Sequence, residues 1–256
     1  VVLHGAGLDR AGASWGRVLP ELAERGPVFA PDLPGHGETA RLLDFRGIDD
    51  LSRWLAGFLD AQGIERAVLA GVSMGGAVAI RLALDAPDRV AGLVPVASYG
   101  LSRRAPLHGI VHAGTRMPLA RLADPIVARS SMAARMALRT LIHDPSQITP
   151  DIVGELRRIA ADTNAERTFD RFLASEIGPD GFRTVLVDDL PRLSVPTRFL
   201  HGRHDATIPI EAARTAARVA HAPLDEVDAG HWPMFEAPAA AIRAIDAVRA
   251  EAAARR

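Results

Sequence analysis

Hydrophobic and polar positions along the 256-residue chain fall into two alternating textures. Short apolar runs occur at "VVLH" from Val1, "PVFAPD" from Pro27, "AVLAG" from Ala67, "GLVPVAS" from Gly92, "TRFLHG" from Thr197 and "LDEVDAG" from Leu224. They are continuous rather than alternating, as strands buried on both faces are, and most end in glycine or another turn residue. Between them, apolar positions repeat at helical spacing over Ser14 to Arg25, Asp49 to Gln62, Gly75 to Asp85, Ile210 to Ala220 and Phe235 to Ala254. Strand, helix, strand in repetition predicts an α/β fold with a mostly parallel sheet flanked by helices. Right-handed crossovers then gather the loops that follow the strands along one edge, where open α/β sheets bind ligands.

The rhythm breaks once. From Leu101 to about Leu190 the pattern holds no convincing strand, only helical segments punctuated by Pro106, Pro118, Pro125, Pro145, Pro150 and Pro179. The reading is a core made of residues 1–100 and 191–256, with a helical insertion over residues 101–190 between two core strands.

Within this frame, Ser73 stands in "AVLAGVSMGGAVAIRLAL", at the point where an apolar strand turns into a helix. It matches the G-x-S-x-G nucleophile elbow in the strand–turn–helix setting that motif requires. A sharp turn there leaves no room for side chains two residues before and two after the serine, which Gly71 and Gly75 satisfy. The same stretch is not a phosphate-binding loop, because it lacks the lysine such a loop needs.

A serine hydroxyl needs a base, and the base needs an orienting group. His231, in "LDEVDAGHWPMFEAP", follows the last strand candidate and precedes the final helix. Asp205, in "FLHGRHDATIP", occupies another strand-end loop, whereas its rivals Asp225 and Asp228 lie within a strand run. The chain order Ser73, Asp205, His231 is the one expected for this elbow. Developing negative charge on a carbonyl oxygen would meet the backbone N–H of Met74, just after the elbow, and that of Ala6 in "LHGAG". His4, His36, His201 and His204 are expected to bond nearby backbone. His108 and His112, spaced i, i+4, lack an acidic neighbour, so no metal is expected.

Taken together, "LHGAG", "DLPGHGET", "GVSMGG", "HGRHDATIP" and "GHWPMFEAP" are similar, in order and spacing, to the α/β-hydrolase-fold serine hydrolases over essentially the whole chain. The resemblance implies Ser73 as nucleophile, Asp205 as acid, His231 as base, Ala6 and Met74 as oxyanion donors, and residues 101–190 as a cap. A serine at the elbow separates it from the dehalogenase and epoxide hydrolase branches, which place aspartate there. It also implies strands ahead of Val1, where only part of one remains and no initiator methionine stands, so the N-terminus reads as incomplete.

The expected reaction is hydrolysis of an ester, or a related carbonyl bond, of a small and largely apolar substrate. Carbon–carbon bond hydrolysis of a diketone-like substrate is the enzyme alternative, and a non-catalytic ligand-binding receptor is the alternative of another class. Met117, Met132, Met136 and Trp232 are candidate substrate contacts, methionine because it adapts to irregular apolar shapes. Core packing is the competing reading for the three methionines. Residues 101–143 hold seven arginines against Asp124 alone, while residues 144–190 hold five against ten acids. Either the two halves pair through complementary surfaces, or one arginine projects inward to hold a substrate carboxylate.

Composition narrows the rest. With no cysteine, the chain has no disulfide, thiolate nucleophile or thiolate metal site, and with no lysine it has no Schiff base. A net charge of −1 with scattered arginines excludes a nucleic-acid tract, and no window approaches the roughly 18 apolar residues of a membrane span. No cofactor is expected, the expected compartment is the cytoplasm, and oligomeric state is left open.

Overall fold

The computed structural model describes residues 1–105, 107–115 and 119–255. Five parallel strands form one sheet in chain order: β1 (Val2–Leu3), β2 (Ala67–Val72), β3 (Val90–Val96), β4 (Phe199–Gly202) and β5 (Leu224–Val227). Successive residues of β2 and β3 feed opposite faces, and both faces are covered. Ala70, Val72, Val94 and Val96 pack into one core, with Ile242, Ile245 and Val248 of the last helix. Leu69 and Leu93 pack into the other, with Leu51, Leu55 and Ile80. Burial on both sides is why these strands read as unbroken apolar runs.

The helices of the core are α1 (Ala11–Ser14), α2 (Leu19–Glu24), α3 (Ile48–Ala61) and α4 (Met74–Asp85) before the insertion. The insertion, between β3 and β4, contains α5 (His108–Thr115), α6 (Leu119–Arg129), α7 (Ser131–Leu138), α8 (Pro150–Ala160) and α9 (Thr163–Glu176). Beyond it come α10 (Ile210–Val219), α11 (Pro233–Glu236) and α12 (Pro238–Ala254). Leu138, Ile152, Leu156 and Ile159 of the insertion share a core cluster with Trp15 and Trp232, so it is packed onto the sheet's helices rather than hung from them.

Two expectations need correction. The stretch Ser14 to Arg25 is not one helix: α1 ends at Ser14 and α2 begins at Leu19, because Pro20 has no N–H to continue the earlier turn and instead opens a new one. "PVFAPD" forms no strand ladder. Pro27 and Pro31 remove two donors, leaving one bond from Val2 N–H to Phe29 O, 2.9 Å. That bond has a topological consequence. The chain leaves β1, passes along its outer side at Phe29, then crosses to β2 on the inner side. The reversal places a crevice at the ends of β1 and β2, where such sheets bind ligands.

Candidate active site

Ser73 sits between β2 and α4 with φ 53° and ψ −117°, a conformation a non-glycine residue adopts only under constraint. The constraint is visible on both sides. A Cβ at Gly71 would lie 2.3 Å from Gly75 O, and one at Gly75 would lie 2.5 Å from His4 O. The turn can therefore close only with both glycines. Ser73 N–H donates to Val96 O at 3.0 Å, and Tyr99 N–H donates to Ser73 O at 3.0 Å, which ties the elbow to the end of β3.

The loop after β1 is equally fixed. His4 is fully buried; its Nε2 accepts from Leu33 N–H at 2.8 Å, so Nδ1 carries the proton and donates to Gly5 O at 2.7 Å. Burial, with His36 beside it, holds this ring well below the ordinary histidine range and so neutral. Gly5 N–H donates to Asp9 Oδ2 at 2.7 Å, and a Cβ at Gly5 would lie 3.3 Å from Ser73 Cβ. Met74 is the first residue of α4, where a helix leaves its N–H groups without intrahelical partners. Gly5 and Ala6 thus approach the elbow from one side and Met74 extends it on the other.

Asp205 and His231 meet directly. His231 Nδ1 donates to Asp205 Oδ2 at 2.7 Å, with both side chains almost wholly buried. Asp205 Oδ1 accepts from Thr207 N–H at 2.7 Å and Ile208 N–H at 2.9 Å, while His201 Nε2 lies 3.3 Å from Oδ2. Burial alone would raise this carboxyl. Hydrogen bonds from His201, His231 and Ile208 outweigh it and hold the group well below the usual carboxylate range. The bond to Asp205 leaves Nε2 of His231 as the free lone pair. Asp225 pairs with Arg198 at 2.8 Å and Asp228 bonds His204 at 2.8 Å, so neither rival reaches His231.

Ser73 and His231 line the same cavity of about 700 Å³, with Ala6 and Trp232 also on its wall. Its apolar lining includes Leu141 and Leu156 of the insertion segment, together with Phe169 and Phe172 of α9. Among the described residues no hydrogen bond joins Ser73 Oγ to His231; contacts of this kind commonly tighten only with substrate bound.

The methionine reading fails for two residues. Met132 and Met136 are 69% and 65% exposed and do not line the cavity. One turn apart on α7, they point outward because Ala134 and Leu138 occupy its buried face. Met117 lies outside the described residues. Among the described residues no arginine lines the cavity as an inward carboxylate clamp would require, Arg116 lying outside them, while Arg103 pairs with Asp188 at 2.5 Å across the two halves of the insertion. Of the histidines, His201 bonds backbone at Ile208 O, 2.9 Å, and His108 does so at Gly178 O, 2.8 Å. His36 instead packs edge-on against His4, and His204 turns to Asp228.

Two carboxylates, Glu176 fully buried and Glu236 partly so, escaped the sequence reading. Glu236 Oε2 accepts from Gly230 N–H at 2.6 Å and Oε1 from Asp144 N–H at 2.9 Å, pinning the loop before His231 to the insertion. Glu176 accepts from Ile48 N–H, Thr184 N–H and the hydroxyl of the cavity residue Tyr99, at 3.0, 3.1 and 3.2 Å. Burial, then the Glu176 charge, pushes the Tyr99 phenol up, so it stays protonated. In sequence, both glutamates look like ordinary surface acids.

A parallel sheet with an elbow serine, a carboxylate-bound histidine and a backbone-lined crevice defines the α/β hydrolase architecture. Residues 1–245 match the model of the alpha/beta hydrolase family, and the chain belongs to that family. It is 31% identical over 250 residues to 2-hydroxymuconate semialdehyde hydrolase of Pseudomonas sp. (strain CF600), covering 92% of this chain and 81% of that one. It is 32% identical over 240 residues to the dihydrolipoyllysine-residue acetyltransferase component of an acetoin cleaving system from Pseudomonas putida. That match covers 93% of this chain but spans only 59% of the relative's length. Among solved structures, a thermophilic esterase from Thermogutta terrifontis superposes with a TM-score of 0.74 at 27% identity, covering 98% of this chain and 89% of that one. No helix among the described residues is long and apolar enough to cross a membrane.

Proposed function

We propose that the chain is a serine hydrolase that cleaves an ester, or a related carbonyl bond, of a small, largely apolar molecule through an acyl-enzyme on Ser73. The observation that carries this reading is the joint placement of the strained elbow serine and the Asp205-bound His231 on one apolar cavity. Nε2 of His231 takes the Ser73 proton as Oγ attacks the carbonyl carbon. Asp205 keeps the ring in the tautomer that makes this possible and stabilises the imidazolium. The N–H groups of Ala6 and Met74 receive the oxyanion. His231 then protonates the leaving group, and water, activated by the same ring, releases the acyl fragment. Residues 101–190 act as the cap, supplying the part of the wall that meets substrate. A volume of about 700 Å³ suits a small molecule rather than a polymer.

A second reading, carbon–carbon bond hydrolysis, draws support from the 2-hydroxymuconate semialdehyde hydrolase relative, which this chain covers over 81% of its length. The test of the serine chemistry is labelling with a fluorophosphonate, alongside turnover of p-nitrophenyl esters of graded chain length. Ser73→Ala is expected to abolish labelling and lower turnover on the order of 10⁴-fold or more. Near-native turnover in that variant would overturn the acyl-enzyme. Labelling without turnover of any ester, but with cleavage of a diketone-like substrate, would select the second reading.

A further inference from the structure

Three side chains from distant stretches of the chain meet on the surface beside the catalytic loops. His143 follows α7 in the insertion, His204 follows β4, and Asp228 follows β5. The imidazoles of His143 and His204 lie face to face, with centroids 3.8 Å apart and 11° between their planes. His204 Nε2 is 2.8 Å from Asp228 Oδ1. One donor atom from each residue lies within 4.8 Å of the other two, and all three residues are exposed.

Two imidazoles and a carboxylate are a donor set that suits zinc and neighbouring transition ions; magnesium and calcium prefer oxygen donors alone. Three protein ligands leave a fourth position for water. Tetrahedral zinc at about 2.0–2.1 Å from its ligands needs donors roughly 3.3–3.5 Å apart. The widest separation, up to 4.8 Å, would have to close by as much as about 1.5 Å, His204 and Asp228 to open slightly from 2.8 Å, and the stacked rings to turn so that their in-plane lone pairs converge, rotamer adjustments open to exposed side chains. Binding would replace the hydrogen bond that now joins His204 to Asp228.

We propose that His143, His204 and Asp228 bind one zinc-type divalent cation, which clips the helical insertion to the loops that carry Asp205 and His231. The location gives the clip its consequence. His204 directly precedes Asp205, and Asp228 lies three residues before His231. The joint is already spanned by Trp232 N–H to Leu141 O at 3.1 Å and, weakly, by Thr207 Oγ1 to Thr140 O at 3.4 Å. A cation would add a much stronger cross-link at the same place, holding the insertion closed over the cavity mouth.

Calorimetric titration of chelator-treated protein with zinc chloride, paired with thermal melts, tests this without reference to turnover. One equivalent should bind saturably and raise Tm by several degrees, and magnesium chloride should do neither. His143→Gln and His204→Gln remove exposed side chains and should leave the metal-free melt nearly unchanged. Each should weaken zinc binding at least as much as losing an outer-shell partner does, about 10–100-fold, and abolish the Tm rise. Absence of saturable uptake, or a full equivalent retained at native affinity in both variants, would overturn the site.

Discussion

Asp9 lies just past the glycine turn that follows β1, only 2% exposed, with Oδ2 accepting the Gly5 N–H at 2.7 Å. Burial pushes its carboxyl up to about 7; the Gly5 bond, the Ser14 hydroxyl and the Arg10 backbone oppose the rise without reversing it, and Asp32 adds to it. In the unfolded chain the same group ionises near 3.8. Between those two values the folded protein holds a proton that the unfolded chain has released. Stability therefore falls as pH rises through the window from about 4 to about 7, and the loss is complete above it. A gap of about three pH units at about 1.36 kcal/mol each amounts to roughly 4 kcal/mol, a large share of a domain's 5–15 kcal/mol.

Asp9→Asn keeps an acceptor for the Gly5 N–H and removes the charge. From pH 5 to pH 8 about two of the three units are crossed, so the variant should gain about 3 kcal/mol on the wild type, or roughly 6–12 °C in Tm. Urea unfolding and calorimetric melts of both proteins at half-unit pH steps measure this. The same substitution reports on the site. Gly5 carries the turn that aims Ala6 at the elbow, and a carboxylate ionised beside it would oppose a developing oxyanion. The variant-to-wild-type ratio of kcat/KM should accordingly climb as pH passes 7. A stability difference that is flat with pH would refute the claim that Asp9 is buried as an acid.

Three further substitutions probe the frame. Gly75→Ala places a methyl 2.5 Å from His4 O and 2.7 Å from Leu3 O, both backbone atoms, and should cost about 3 kcal/mol in urea unfolding together with most of the activity. Gly57→Ala, with nothing within 4 Å of the added carbon and a helical setting, should instead gain about 0.5–1 kcal/mol. Glu236→Ala strands the N–H groups of Gly230 and Asp144 and should lower stability by about 2 kcal/mol or more. Because Gly230 directly precedes His231, the variant's kcat should fall while KM moves little; an unchanged kcat would show that Glu236 does not help position His231.

What could be seen in the sequence, and what could not, follows from where the physical constraint leaves a mark. Gly71 and Gly75 are marked because a side chain at either would collide with backbone, so the elbow is written into residue type. Chain order and loop position similarly pick Asp205 over Asp225 and Asp228, and the structure gives those two rivals to Arg198 and His204. Helical spacing, by contrast, says that Met132 and Met136 share a face of α7 without saying which face the neighbouring helices α6 and α8 cover. Glu176 and Glu236 are harder still. Most of their partners are backbone N–H groups, which every residue except proline supplies, so no spacing or composition betrays them. His143, His204 and Asp228 share that difficulty, since each sits in a different segment and only the packing of the insertion against the strand ends brings them together. Groups that act through contact across the fold therefore stay silent in the chain, and around this cavity those contacts join the insertion to the loops on which Asp205 and His231 stand.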